Sequence, residues 1–491
     1  MIGNREACPP SARVARCAVK GIKNVSGVSC HISASIQLLF HGLPGLAARV
    51  MELSDVCAPF APISSPPFST ERGEFVRQLG LLFKSLGKWE GESSGISVAA
   101  DPLSLFDALP ASLDYRNVGD SAVALRVILV TIREGMNDMR APVRDSAFSP
   151  VYKVIDGVLA TLSESLLGGT TVQRIEGSKR MVVQDGDGRE TEKIVTRSKP
   201  EKECPLSVPL LLPVQGHRSL LSALASVTVE PQSIAGYDWD SIEEYIETES
   251  LVERRDESSS SSSGESTDGD GTSLSSDIST SSSSDDSSEE DEGKGFGVWR
   301  TKKYSAMKRL PSNLLLQLRR SEYRSGRIHW LSNPIAIPAE IIVAPYFGDC
   351  ADSGDCEYRY MLAGAIVHVD IPLKGSDEDA GHYIAYIKAD DHLPRSDGDC
   401  EGLVMENLKS QLASSCAIDD VQKRHWVEVD DETTKRVVAP VTKQSLDSDN
   451  ETCVQRHVLN ILSGRYVKKA RHGGTKLRGS KYATVLLYSR T

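Results

Sequence analysis

Residues 254 to 295 consist almost entirely of Ser, Asp, Glu and Gly, and no packed core can be built through them. A stretch with so few large apolar groups cannot bury enough surface to offset the entropy of ordering, so it is expected to be a disordered insertion. It is read first as a solvated spacer and second as a partner-binding or phosphorylated segment, since serines among acidic residues suit acid-directed kinases. It also localises the charge. The 491-residue chain has a formal net charge of −12, and between Asp256 and Glu292 there are twelve acidic residues and no basic one. The remainder is therefore near neutral, and no clustered basic and aromatic face argues for nucleic acid. No run approaches the roughly 20 apolar residues of a membrane span. The apolar content of 40% supports a substantial core, in one elaborate domain with insertions or in two or three. Ten cysteines with irregular spacing and no C-x-x-C pair do not form a disulfide framework, and no secretory signal opens the chain. An intracellular location, in cytoplasm or nucleus, is expected.

Chemistry concentrates in three short stretches. Residues 21 to 43 carry a Gly- and Ser-rich loop into Cys30, after which Ile32, Ile36, Leu39, Phe40 and Leu43 recur at helical spacing until Gly42 and Pro44. That places Cys30 at a helix start, where unpaired N–H groups and the helix dipole favour a thiolate. In Ala380 to Lys388, AGHYIAYIK, alternation predicts a strand with His382 at its mouth. In Trp426 to Asp431, WVEVDD, a second strand ends at Asp430. A cysteine nucleophile, a histidine base and an orienting carboxylate on separate elements are the parts of a thiol-protease triad.

These stretches resemble the boxes of the ubiquitin-specific proteases. The family's cysteine box, approximately G-L-x-N-L-G-N-T-C-Y-M-N-S-x-L-Q-x-L, is matched by GIKN and then by CHISASIQLL, with Ile36, Gln37 and Leu39 in place. Its G-H-Y-x-A-Y is matched by Gly381, His382, Tyr383, Ala385 and Tyr386; its W-x-x-F-D-D by Trp426, Asp430 and Asp431; its terminal strand by Tyr482 to Tyr488. The resemblance implies an α+β, papain-like cysteine protease of thumb, palm and fingers. A tail over 1–17 would precede a catalytic domain over 18–491, with the thumb at about 18–165, palm and fingers at about 166–491, and polar insertions at 254–295 and 389–423. It implies a thiol-dependent deubiquitinase needing no cofactor, with ubiquitin or ubiquitinated proteins as partner. Cys30 would be the nucleophile, His382 the base, Asp430 its orienting group and Asp431 a secondary support. Asp120, Gly381 and Tyr383 would line the path of the ubiquitin tail.

The departures matter as much. The family's oxyanion asparagine stands five residues before the cysteine, where this chain has Val25; Asn24 stands six before. Losing such a donor lowers rates on the order of 10²–10³-fold, and a bulge at Ser26 and Gly27 is expected to return Asn24 to its place. The family's Q-Q-D-A-x-E-F survives only as Asp120, with Gly119, Val123 and Ala124 replacing glutamine, glutamate and phenylalanine. The fingers lack both zinc knuckles, Cys204 being the only cysteine nearby, so no structural metal is expected. Active enzyme is the leading reading, and a weak or inactive ubiquitin-binding scaffold is the alternative. An unrelated cysteine hydrolase is the remaining one. Elsewhere, helices are expected over Phe75 to Leu86, Gly119 to Met136 and Ser219 to Val227, a hairpin around Asp185 to Gly188, strands over Leu206 to Leu210 and Asn313 to Arg320, and a buried strand from Tyr360 to Asp370. His368 in that strand is either an active-site neighbour or a packed core histidine.

Overall fold

A computed structural model of the chain describes residues 19–57, 70–87, 99–140, 149–184, 190–228, 230–242, 244–251, 298–324, 327–343, 358–371, 380–389, 425–437, 450–464, 467–472 and 475–491. The tail over 1–17, the turn at Asp185 to Gly188, the acidic insertion over 254–295 and, beyond Ala389, the 389–423 insertion lie outside them.

Helices come first: α1 (Cys30–Gly42), α2 (Pro44–Cys57), α3 (Glu71–Gly87), α4 (Leu103–Asp107), α5 (Ser121–Arg140) and α6 (Ser149–Leu162), the last running into a π-helical turn at Ser163–Leu167. Strands β1 (Thr170–Gln184), β2 (Glu190–Ser198), β3 (Lys202–Pro205) and β4 (Leu210–Pro213) follow, then α7 (Leu220–Thr228), β5 (Gln232–Ile234) and β6 (Ile246–Leu251). Next come β7 (Arg300–Arg309), β8 (Asn313–Arg319), β9 (Ser321–Arg324), β10 (Arg327–Trp330), β11 (Glu340–Val343), β12 (Tyr358–Ile371), β13 (Ala380–Ala389), β14 (His425–Asp430) and β15 (Thr433–Arg436). Helix α8 (Asn450–Leu462) and strands β16 (Val467–His472) and β17 (Thr475–Arg490) end the chain. Among the described residues, no helix is long and apolar enough to cross a membrane.

The chain divides into two compact units. The first comprises Met1–Val172, Glu203–Val229 and Ala306–Thr491. Its sheet runs β15-β14-β13-β12-β17-β8-β4, with β11 added on β12 and β16 on β17. Both faces of this sheet are covered, which explains why its central strands are apolar throughout rather than alternating. Along β13, Tyr383, Ala385 and Ile387 enter the core shared with α1, α2, α3, α5 and α6, whereas Ile384 and Tyr386 enter the core shared with α7 and α8. Helix α1 lies close on the sheet because two glycines leave room: a Cβ on Gly42 would collide with Leu487, and one on Gly364 would stand 2.6 Å from Leu38 Cδ1.

The strand expected over Leu206 to Leu210 forms instead at Leu210–Pro213, parallel to β8. Pro209 has no N–H to give to a ladder, and the Leu206 N–H donates to the Gly169 carbonyl at 2.9 Å. His368 takes the packed reading. Its ring stacks on Trp330 at 4.5 Å and its Nδ1 lies 3.1 Å from the Tyr482 hydroxyl.

The second unit comprises Gln173–Lys202 and Glu230–Ser305. Its sheet runs β5-β7-β1-β2-β6, with β1 and β2 an antiparallel hairpin whose register closes at Gln184 opposite Glu190. Trp239 is fully buried here. A Cβ on Gly177 would collide with its indole, whose N–H donates to Thr301 Oγ1 at 2.8 Å. The Arg197 guanidinium lies 4.4 Å from the Tyr245 ring and 4.8 Å from Trp299, and pairs with Glu247 at 2.7 Å. Four aromatic and cationic groups, Arg197, Trp239, Tyr245 and Trp299, pack together on this sheet.

Candidate active site

Cys30 is the first residue of α1, and it is 5% exposed. Ser29 precedes it as N-cap but does not cap with its side chain; its hydroxyl donates instead to Asn24 Oδ1 at 2.9 Å. The first turn of α1 therefore has no side-chain cap, while the Ser29 carbonyl accepts the N–H groups of Ile32 at 3.0 Å and Ser33 at 3.1 Å.

Strand β13 brings His382 to this sulfur, and β14 brings Asp430 to His382. Antiparallel pairing of the two strands runs from Ala385 opposite Val429 to Ala389 opposite His425, which sets the imidazole beside the carboxylate where β14 ends. His382 Nε2–H donates to Asp430 Oδ1 at 2.6 Å, and with Nε2 so committed, Nδ1 is the nitrogen left to serve the thiol. The electrostatics follow. Hydrogen bonding to Asp430, and then to Cys30, raises His382 to about 10 against the opposing effect of burial. Burial alone would push the Cys30 thiol up. Hydrogen bonds to the side chains of His31 and His382 and from the Tyr383 backbone outweigh it and bring the thiol down to about 7. Asp430 is held below the usual carboxylate range, chiefly by its bond to His382. The group is thus set to hold a thiolate beside an imidazolium.

Asp431 turns away from this line. Its backbone is in the left-handed region, at φ 48°, and its carbonyl accepts the Ile22 N–H at 2.9 Å, which ties the segment before Cys30 to the end of β14. Its Oδ2 accepts from Asn24 Nδ2 at 2.8 Å and stands 4.0 Å from His382 Nε2; burial raises its carboxyl. Asn24 Oδ1 also accepts the Ser29 N–H at 3.3 Å, so the amide is fixed in orientation with one of its two N–H groups given to Asp431. The residue inserted before Cys30 is accommodated by an outward bulge. Val25 is 40% exposed, Ser26 Oγ donates to the Tyr115 carbonyl at 2.6 Å, and Gly27 adopts φ 76°. The bulge leaves Asn24 bonded to the residue before Cys30.

The remaining expected site residues lie nearby in different roles. Asp120 caps α5, its Oδ1 accepting the N–H groups of Ala122 at 2.7 Å and Val123 at 3.2 Å. Tyr383 is 3% exposed, its ring in the core, so what it offers the site is its backbone. Gly381 lies against His368, which leaves no room there for a side chain. His382, Asp430 and Asp431 are also the one set of donor groups, among the described residues, close enough to one another to share a cation. The residue that the sequence reading passed over is His31. Two separate departures from the family boxes meet there, histidine directly after the cysteine and glycine at position 119.

Comparisons with known proteins bear on the family of the chain. Among solved structures, similar chains include the SAGA Ubp8/Sgf11/Sus1/Sgf73 DUB module bound to ubiquitin aldehyde, at 13% identity and a TM-score of 0.48, covering 98% of this chain and 71% of that one. The same module bound to monoubiquitin follows at 13% and 0.45, covering 96% and 69%. A yeast SAGA DUB module gives 14% and 0.45, covering 98% and 70%. No curated protein sequence matches the chain. The family model described as ubiquitin carboxyl-terminal hydrolase matches residues 20–488, a span that holds Cys30, His382 and Asp430 and nearly the whole of the chain, which therefore belongs to that family.

Proposed function

We propose that this protein is a thiol-dependent deubiquitinase, hydrolysing the isopeptide or peptide bond that follows the C-terminal glycine of ubiquitin. The observation that carries the reading is the hydrogen-bonded line from Cys30 through His382 to Asp430 at the start of α1. The Cys30 thiolate attacks the glycine carbonyl carbon, forming a C–S bond and an oxyanion. The backbone N–H of Cys30 and the second N–H of Asn24 donate to that oxyanion. Collapse breaks the C–N bond, and the proton held by His382 goes to the departing lysine amine. Water then gives a proton to His382, attacks the thioester and releases the thiolate. Asp430 keeps the imidazole oriented and charged, Asp431 holds Asn24, and Gly381 and the Tyr383 backbone form the wall beside the sulfur. We assign Asp120, one oxygen of which caps α5, to the arginines of the ubiquitin tail. We assign the protein to a reducing, intracellular setting, in cytoplasm or nucleus, where a thiol nucleophile stays reduced.

Hydrolysis of a fluorogenic amide of ubiquitin tests this reading. Below about 7 the thiol keeps its proton and the nucleophile is lost; above about 10 His382 loses the proton that the leaving amine needs. The expected kcat/KM profile is a bell between those limits, and Cys30→Ala removes it. Folded protein that hydrolyses no ubiquitin substrate, or activity that survives Cys30→Ala, overturns the assignment, and the former would leave a ubiquitin-binding scaffold.

A further inference from the structure

The near-neutral balance outside the acidic insertion conceals a strongly basic run. Between Arg465 and Lys481 there are seven Lys and Arg residues and no Asp or Glu. Most of the run lies in β16 and the first part of β17, which pair antiparallel from Val467 opposite Ser480 to His472 opposite Thr475. In that register Lys469 stands opposite Arg478, and Arg471 opposite Lys476. Ladder partners share a face, and so do alternate residues along a strand, which puts these four cationic residues on one face of the ribbon. Like charges directly opposite one another destabilise a strand pair. Two such pairs in succession are a pattern that a polyanion laid along the face relieves.

The ribbon also extends beyond the main sheet. Strand β17 joins β12 only from Lys481, opposite Val369, and β8 only from Val485. Among the described residues, Thr475 to Ser480 pair with β16 alone. Val369 is also the residue opposite His382, so the ribbon leaves the sheet level with His382 and two strands away, about 10 Å. Lys481, at its base, is committed to Glu428 at 3.2 Å.

We propose that the face carrying Lys469, Arg471, Lys476 and Arg478 binds the phosphate backbone of duplex DNA. Alternate residues along a strand stand about 6.8 Å apart, which spans two phosphate steps of about 3.4 Å along one strand of the duplex. An acidic protein surface interleaves carboxylates with cations and calls for a mixed face; a face of one sign suits a backbone of one sign, whose condensed counterions are released on contact. Shape selects the duplex. The major groove of B-form DNA, about 12 Å wide, admits a two-stranded ribbon, whereas that of A-form RNA is deep and narrow. Such binding stands whether or not Cys30 is a nucleophile, and it sets the DNA at the end of the sheet that carries His382.

The test is the fluorescence anisotropy of a labelled DNA duplex of about 20 base pairs, titrated with the full chain between about 50 and 200 mM salt. With four phosphates neutralised, log affinity is expected to fall against log salt with a slope of about −3.6, about a hundredfold over that range. Lys469→Gln, Arg471→Gln, Lys476→Gln and Arg478→Gln combined are expected to weaken binding at least about tenfold and to flatten the slope. Lys468→Gln, on the other face, is expected to change neither, and a loss there equal to that of Arg471→Gln overturns the assignment of the face. A parent chain that binds no duplex overturns the proposal, as does a fourfold variant with the parent's melting curve, affinity and slope. Tighter binding to polyglutamate or to duplex RNA of the same length also overturns it, and gives the face to an acidic protein or to RNA. Should the fourfold variant fail to fold, Arg471→Gln alone decides: a slope shallower by about 0.9 supports the site and an unchanged one overturns it. The assay contains no ubiquitin, so loss of DNA binding leaves the role of Cys30 untouched, and failure to hydrolyse ubiquitin amides leaves the DNA site untouched.

Discussion

Asn24 is bonded to Ser29 and Asp431 although it stands one residue further from Cys30 than the asparagine of the family's cysteine box. Six residues before Cys30 instead of five, it would miss the oxyanion if the loop were extended, yet the bulge at Val25 to Gly27 takes up the extra residue. Its carbonyl is held by Ser29 and one N–H by Asp431, and the proposed mechanism assigns the second N–H to the oxyanion. Removing a donor of that kind lowers kcat on the order of 10²–10³-fold with little change in KM. Asn24→Ala is expected to do so, and steady-state kinetics showing kcat unaltered would remove Asn24 from the oxyanion site. The sequence made the candidates legible because Cys30, His382 and Asp430 each sit where a periodic element begins or ends. It did not make His31 legible: the notch that admits its ring is formed by Gly119, far along the chain, and each departure alone looks like simple divergence.

At the scale of elements, the strands that carry His382 and Asp430 were readable from alternation along each, with the histidine at the mouth of one and the aspartate at the end of the other. Burial on both faces concealed the place of Tyr383, whose neighbour His382 is polar and suggests an exposed edge, while its ring lies among the residues of the helical core. The strand at Leu210–Pro213 was misplaced because apolar residues continue through Pro209, and only the ladder partner on β8 decides where pairing starts. The sheet of the second unit was predicted as a hairpin, but its core was not. Gly177, Arg197, Trp239, Tyr245 and Thr301 form no local pattern, and their convergence appears only after pairing. That convergence carries a prediction. Trp239→Ala is expected to destabilise the second unit by about 3–5 kcal/mol, as loss of a fully buried aromatic does, while a chelator leaves the melting curve of the parent protein in place. A melting transition lowered by chelator would show that a metal, rather than the indole cluster, holds the sheet.

For the molecule as a whole, all three triad residues belong to the first unit, and chain segments 407 positions apart meet in the hydrogen bond from Asn24 to Asp431. The cysteine helix and the histidine strand are therefore parts of one folded body. The central claim is that this body presents Cys30 as a nucleophile to the C-terminus of ubiquitin. It is tested most directly by incubating the purified protein with ubiquitin carrying a thiol-trapping electrophile at its C-terminus and recording the intact mass. The account predicts a one-to-one covalent adduct on Cys30 that is lost in Cys30→Ala; folded protein that forms no adduct, or an adduct that persists in Cys30→Ala, would contradict it.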